Sequence, residues 1–280
     1  MFSINHILIA SDLTQQARAA LQRAAQLKQD LGARLTLLHV VDPKTPAVQS
    51  AQHARSILDE HVGSVFESEP HHFVLEIRHG DRYDTIIAEA EAAGADLIVL
   101  GDAQKRRWKE TLVGTSTERV VRMSQLPVLV VRRPGSQPYQ RLLSAFDGSP
   151  AACRALAVAL AVAGEAKCLV FHASMTPTLA QFATRRAGDA IARHQVDAAK
   201  AALEGVLERV GPLRARPEVR VLEGNPHFLV RDSMREFAPE LLTVGTHARS
   251  SAATAVLGSF AHDLLVDAAC DVLIAPPDGA

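Results

Sequence analysis

The chain repeats itself. Ile7-Leu8-Ile9-Ala10-Ser11-Asp12 near the start returns as Leu142-Leu143-Ser144-Ala145-Phe146-Asp147 near the middle. Each time an apolar run ends on an aspartate, and an Ala-rich stretch of helical character follows. Later landmarks return too: Gly80 as Gly224, Leu97-Ile98-Val99-Leu100-Gly101 as Leu241-Leu242-Thr243-Val244-Gly245, and Gly114-Thr115 as Gly258-Ser259. Pro127-Val128-Leu129-Val130-Val131 returns as Asp271-Val272-Leu273-Ile274-Ala275. The aspartates stand 135 residues apart and the four later landmarks 144 apart, so the nine extra residues of the second copy fall between His172 and Gly224. Self-similarity on this scale means one folding unit used twice. The join lies near Pro134-Gly135-Ser136-Gln137-Pro138, a stretch of linker composition. Units of 1–134 and 139–280 are expected, and 280 residues suit two domains of roughly 150.

Within each copy the pattern reads β-α-β-α-β-α-β-α-β. Residues 6–12 form a short apolar strand, and Ala17, Ala20, Leu21, Ala24, Leu27 and Leu31 then recur at helical spacing over 13–32. Arg34 to Val41 is a second strand, a helix fills much of 47–68, and His72 to His79 is a third strand. Residues 83–94 are helical, Asp96 to Gly101 a fourth strand, 115–125 a helix and Val128 to Arg132 a fifth strand. The second copy repeats this with a longer second helix, whose Ala199, Ala202, Leu203, Val206, Leu207 and Val210 share one face. Strands alternating with helices predict an α/β fold with a parallel sheet covered on both faces. The nearly continuous apolar fourth and fifth strands agree with burial on both sides.

Composition removes several classes of function. A formal charge of −1 leaves no chain-wide footprint for nucleic acid or an anionic membrane. Nine Phe, two Tyr and one Trp are too few for an extended base-stacking surface. The longest apolar run, Ala155 to Gly164, is ten residues and reads as a buried helix rather than a membrane span. Cys153, Cys168 and Cys270 are odd in number and lack C-x-x-C spacing, so they read as small buried apolar residues. The start, Met1-Phe2-Ser3-Ile4-Asn5-His6, lacks the basic segment and cleavage site of a signal peptide, and a cytoplasmic location is expected.

Where chemistry could sit follows from topology. In an open α/β sheet, ligands bind beyond the C-terminal strand ends at the topological switch point. For a strand order 3-2-1-4-5 that point lies between strands 1 and 4, which end at Asp12 and Gly101 in the first copy and at Asp147 and Gly245 in the second. Asp also reads as a helix N-cap there, a compatible role. Thirteen residues beyond each strand-4 glycine comes Gly114-Thr115 or Gly258-Ser259, opening a helix. The unpaired N–H groups and positive dipole end of a helix N-terminus suit a phosphate. Lys105-Arg106-Arg107-Trp108-Lys109 inside the first loop reads as a solvated basic turn. His71, His72 and His79 lack a carboxylate or Cys to complete a metal site. His39 and His172 recur at equivalent strand ends and serve the fold or the crevice. Walker A and G-x-G-x-x-G motifs are absent.

Leu112-Val113-Gly114-Thr115-Ser116-Thr117-Glu118-Arg119-Val120-Val121, followed by Leu126-Pro127-Val128-Leu129-Val130-Val131-Arg132, resembles the universal stress protein family. So does Val244-Gly245-Thr246-His247-Ala248-Arg249-Ser250 running into Leu257-Gly258-Ser259. The resemblance is to a UspA-like member with two tandem domains and covers nearly the whole chain. It implies two doubly wound, Rossmann-like five-stranded domains forming an intramolecular pseudo-dimer through their fifth strands. It implies ATP or AMP as a ligand, with Mg²⁺ as a companion ion, and a role in stress response through an unknown protein partner. A homodimer of the tandem chain is a further expectation; nucleic acid and membrane are not. By position, Val40 and Ala173 would lie near the adenine, and Asp12 and Asp147 near the base and ribose. Phosphates would lie on Gly101, Gly114 and Thr115 in the first half, and on Gly245, His247, Ala248, Arg249, Gly258 and Ser259 in the second. The family's nucleotide-binding members carry a further glycine in this loop, and here it is Gln104 or Ala248. The second half keeps the nearer match and is the expected better site, although the first half keeps the hydroxyl run Thr115-Ser116-Thr117 where the second has Ser259-Phe260-Ala261. These departures motivate an alternative, a nucleotide-free interaction scaffold. A third class, an adenylate-forming or pyrophosphatase enzyme, lacks its S-G-G-x-D-S loop, and no dedicated base or nucleophile stands out, so at most slow ATP hydrolysis is expected.

Overall fold

The computed structural model describes residues 3–43, 51–65, 73–102, 116–135, 137–174, 185–246 and 257–278. Strands β1 (His6–Ala10), β2 (Arg34–Val41), β3 (Val74–His79), β4 (Leu97–Gly101) and β5 (Val128–Val131) belong to the first half. Strands β6 (Arg141–Ala145), β7 (Lys167–Ser174), β8 (Glu218–Glu223), β9 (Leu241–Gly245) and β10 (Asp271–Ala275) belong to the second. All ten form one sheet in the order β3-β2-β1-β4-β5-β10-β9-β6-β7-β8. Within each half the order is 3-2-1-4-5 and every pairing is parallel, as the alternating pattern requires. The halves meet where β5 and β10 pair antiparallel, with Val130 opposite Val272 and Leu129 opposite Leu273. The expected pseudo-dimer is therefore built, and two apolar edges that would invite association are closed against each other. The outer edges are β3 and β8, whose residues are partly exposed.

Helices cover both faces. On one side lie α1 (Gln15–Leu31), α2 (Ala51–Val65), α5 (Pro150–Val162) and α6 (Arg185–Val210). On the other lie α3 (Arg82–Ala92), α4 (Ser116–Met123), α7 (Pro226–Phe237) and α8 (Ser259–Asp267). The period-2 geometry of a strand divides the apolar run between them. Ile7 and Ile9 join the core with Leu58, Leu156 and Val206, whereas Leu8 joins the core with Ile86, Val120, Val230 and Leu264. Each core runs across the seam, since Leu129 and Leu273 share the first and Val130 and Val272 the second.

The β–α turns explain the recurrent aspartates. Asp12 Oδ1 accepts the Thr14 N–H at 3.1 Å and its hydroxyl at 2.6 Å, and Thr14 in turn caps α1 by accepting from Ala17 N. Likewise Asp147 Oδ1 accepts from Ser149 N at 2.9 Å, and Ser149 caps α5 with Pro150 in the first turn. The cap thus stands two residues beyond the aspartate, which shapes the turn itself.

A buried polar cluster bolts the halves together. The Asp271 carboxylate, 2% exposed, accepts the Tyr139 hydroxyl at 2.7 Å and the Arg132 N–H at 2.8 Å. The Arg23 guanidinium of α1 lies 3.7 Å from the same carboxylate and 3.9 Å over the Tyr139 ring. Arg23 also donates to Gln26 Oε1 and to the Gln137 carbonyl, both at 2.7 Å. Burial, reinforced by the Asp271 charge, holds the Tyr139 hydroxyl well above its ordinary pKa, so it is a permanent donor.

Candidate functional site

The C-terminal ends of β1 and β4 diverge to opposite neighbours, and the gap between them is a crevice. Ala10, Ser11 and Asp12 line it from β1 and its turn, Val40 from β2, and Leu100, Gly101 and Asp102 from β4. Arg82, Tyr83 and Ile86 of α3 form one wall, with Thr117 and Val120 of α4 beside them. Asp12, Val40 and Gly101 thus line one crevice. Between the described residues the enclosed part holds about 50 Å³, room for a water or two, and the rest of the crevice is open to solvent.

Several local features fix this geometry. Thr117 Oγ1 donates to the Gly101 carbonyl at 3.4 Å, tying α4 to the end of β4. Asp102 lies 3.6 Å from Arg132, beyond β5. Gly80 has a φ of +153°, a backbone that favours glycine, and releases the chain into α3, where Asp81 caps by accepting from Tyr83 N. That turn delivers Arg82 and Tyr83 to the crevice. Sequence reading did not single them out, although a residue pair directly after a strand-closing glycine at this end of a parallel sheet was the available signal.

His39 and His172 stand behind the crevices, not in them. His39 lies on the opposite face from Val40, and its Nδ1 meets the Ser11 carbonyl at 2.8 Å; His172 Nδ1 meets the Phe146 carbonyl at 2.8 Å. A carbonyl only accepts, so Nδ1 carries the proton in each. Each histidine therefore anchors the turn that presents the strand-1 aspartate. Burial, the largest influence, lowers the His39 pKa from its ordinary value and keeps the ring neutral.

The second half arranges its counterparts differently. Gly245 is buried, and a Cβ there would meet Ala152 N at 2.5 Å and Ala151 C at 2.6 Å. The first turn of α5 therefore packs directly on the end of β9, and the glycine serves helix–strand contact. Gly148 has φ +77°, and its α-carbon faces α6, where an added Cβ would lie 3.2 Å from Ala199 Cα. Ala173 is half-buried at the end of β7, and Gly258 stands at the N-cap of α8 just before Ser259. His247, Ala248, Arg249, Gly114, Thr115 and Gln104 lie outside the described residues, as do His71, His72 and the basic turn 105–109.

Among the described residues no group of three or more His, Cys, Asp or Glu could hold a metal ion. No described helix is long and apolar enough to cross a membrane. Cys168 and Cys270 are buried thiols, pushed up to about 12 and about 11 by desolvation, which suits apolar packing and not nucleophilic chemistry.

Comparison with known proteins gives one consistent result. A model described as the universal stress protein family matches residues 3–132 and again 138–276. The stress response protein NhaX of Bacillus subtilis is 25% identical over 166 residues, covering 47% of this chain and all of that one. Universal stress protein MJ0577 of Methanocaldococcus jannaschii is 42% identical over 57 residues, 20% of this chain and 35% of that one. The crystal structure of a universal stress protein from Archaeoglobus fulgidus superposes with a TM-score of 0.69 at 20% identity, covering 98% of this chain and 99% of that one. That last likeness concerns the fold.

Proposed function

The chain belongs to the universal stress protein family, and on that premise we propose that it binds an adenine nucleotide, ATP or AMP, at the first-half crevice and acts in stress response through protein partners. The observation that carries this reading is the convergence of Asp12, Val40, Gly101, Arg82 and Tyr83 at one switch point. The residues suit such a ligand chemically. Val40 and Tyr83 offer apolar area to a base, and the Asp12 carboxylate keeps its second oxygen for a ribose hydroxyl once Oδ1 is spent on Thr14. Arg82 and the N-terminal end of α4 suit phosphate oxygens, and Mg²⁺ would accompany them. A bound ATP would supply a charged ligand whose presence partners could read. Among the described residues of the crevice none is arranged as a nucleophile paired with a base, which favours a sensor over a hydrolase.

A second reading, a nucleotide-free interaction scaffold, draws support from two observations. The enclosed part of the crevice is only about 50 Å³, and Gly245 in the second half is taken up by α5. Calorimetric titration of nucleotide-stripped protein with ATP and Mg²⁺ separates the two. The expected stoichiometry is near one per chain, lost in Asp12→Ala and kept in Ser259→Ala. Stoichiometry near one that depends on Ser259 and not Asp12 moves the site to the second half. No heat from the unaltered protein leaves the scaffold reading.

A further inference from the structure

At the other end of the sheet, under the N-terminal ends of β6, β9 and β10, α7 and α8 part to leave a groove of about 440 Å³. That size falls within the roughly 300–1,000 Å³ typical of small-molecule sites. Its floor is apolar: Val230, Met234, Leu264 and Cys270. The Cys270 thiol, raised to about 11 by burial, stays protonated and adds to that floor.

The repeat supplies its own control. At an offset of 144 residues, the first half has Ile87 where the groove has Arg231, and Leu126 where it has Cys270. Ile87 and Leu126 pack onto the core beneath α3 and α4, and Arg119 lies 4.7 Å over the Tyr83 ring, bridging those two helices. In the second half one filling side chain has become a charged one and the other a small one. Met234 in place of Ala90 recovers part of the volume, yet the cavity persists.

Charge at the groove is also specific. Glu240 is committed to Arg141 at 3.2 Å and to the Gln140 N–H, and Asp263 to His227 at 3.1 Å. Arg235 is paired with Asp232. Among the described residues the lining guanidiniums of Arg133 and Arg231 make no ion pair, and neither does the carboxylate of Asp267. Two free cations against one free anion leave a single positive excess beside an apolar floor. Arg presents a planar fork that matches a carboxylate, and Asp267 disfavours a doubly charged head group.

We infer that this groove binds a free amphipathic monocarboxylate, its apolar body on Val230, Met234 and Leu264 and its head group on Arg133 and Arg231. The site is separate from the strand-1 crevice, and nothing in the sequence repeat or the family resemblance assigns it.

Dodecanoate titrated into the full chain below its micellar concentration tests this, with dodecanol and dodecyltrimethylammonium as neutral and cationic homologues. One saturable site is expected for dodecanoate, weakened at least about tenfold for either homologue. Arg231→Ile and Cys270→Leu, which import the first-half residues, should each weaken it by at least about tenfold without lowering the melting temperature. Arg231→Gln should weaken dodecanoate and leave dodecanol unchanged. Equal affinity for all three head groups, indifference to both filling variants, or no saturable binding at all overturns the inference. ATP titrated into the same variants reports on the crevice alone, so failure there is distinguishable from failure here.

Discussion

Leu13 and Gly148 occupy the same place in the two copies, one residue after the strand-1 aspartate, and both are left-handed, with φ of 65° and 77°. The Asp side chain accepts the N–H two residues on, and the intervening residue must turn that way. Glycine does so freely, whereas leucine gives up about 1–2 kcal/mol. Leu13 packs against the first core, which offsets that strain. The aspartate was legible because it recurs; the strain was not, because Leu13 looks like an ordinary helix-start apolar residue. The histidine behind this turn carries a pH prediction. The folded chain holds His39 neutral, with its pKa below the ordinary 6.5, whereas the unfolded chain takes up a proton near that value. The unfolded state thus binds more protons as pH falls, and the stability tied to His39 is full above 6.5 and is lost as pH drops through it. Denaturant midpoints should fall between about pH 7.5 and about pH 5.5, and less steeply in His39→Gln. Identical slopes would show that this imidazole does not report folding. His61, also lowered chiefly by burial, contributes the same slope to both proteins and cancels in the comparison.

At the scale of elements, a repeated glycine proves to have more than one physical reason. Gly245 was legible as a repeated strand-end glycine that the resemblance put beside a phosphate, and only glycine lets two backbones or a ligand come so near. Which of these it served was not, because the partner, the first turn of α5, lies more than ninety residues away in sequence. Gly245→Ala should therefore behave as an overpacking change, destabilising by about 1–3 kcal/mol, because the atoms it meets are backbone and cannot rotate aside. A chemical-denaturation series measures this, and a cost below about 0.5 kcal/mol would mean that α5 shifts easily. Most element bounds were legible within two residues from periodicity: α1 runs 15–31 against an expected 13–32, and α4 runs 116–123 against 115–125. What periodicity missed sits where the copies differ. Arg82 and Tyr83 at the crevice, and Arg231 and Cys270 in the α7–α8 groove, carry no repeat signal, and pattern reading by self-similarity discards such positions.

The whole molecule depends on a seam that is half legible. The antiparallel pairing of β5 with β10 follows from two copies that each end on an apolar edge strand. The cluster of Arg23, Tyr139 and Asp271 does not follow, because it has no symmetric counterpart: the residues 135 before Tyr139 and after Arg23 are Ile4 and Val158, and the residue 144 before Asp271 is Pro127. Its members come from α1, the segment leading into β6, and β10, so only the assembled chain brings them together. Both cores and the sheet run through the seam, and the intact protein should therefore unfold in one cooperative transition. Asp271→Ala removes the acceptor shared by Tyr139 and Arg132 and leaves the Arg23 guanidinium, 6% exposed, without its anion. Breaking one side of a buried pair typically costs about 3–5 kcal/mol, because the remaining charge is desolvated and uncompensated. Replacing both partners, as Arg23→Met with Asp271→Ala, should recover part of that loss, since the stranded charge goes with its partner. Calorimetry on the three proteins reads both effects. If the single variant melts within about 1 kcal/mol of the parent, the seam is held by β5–β10 pairing and core continuity alone. If it splits into two transitions, the cluster is what makes two copies of one fold behave as one molecule.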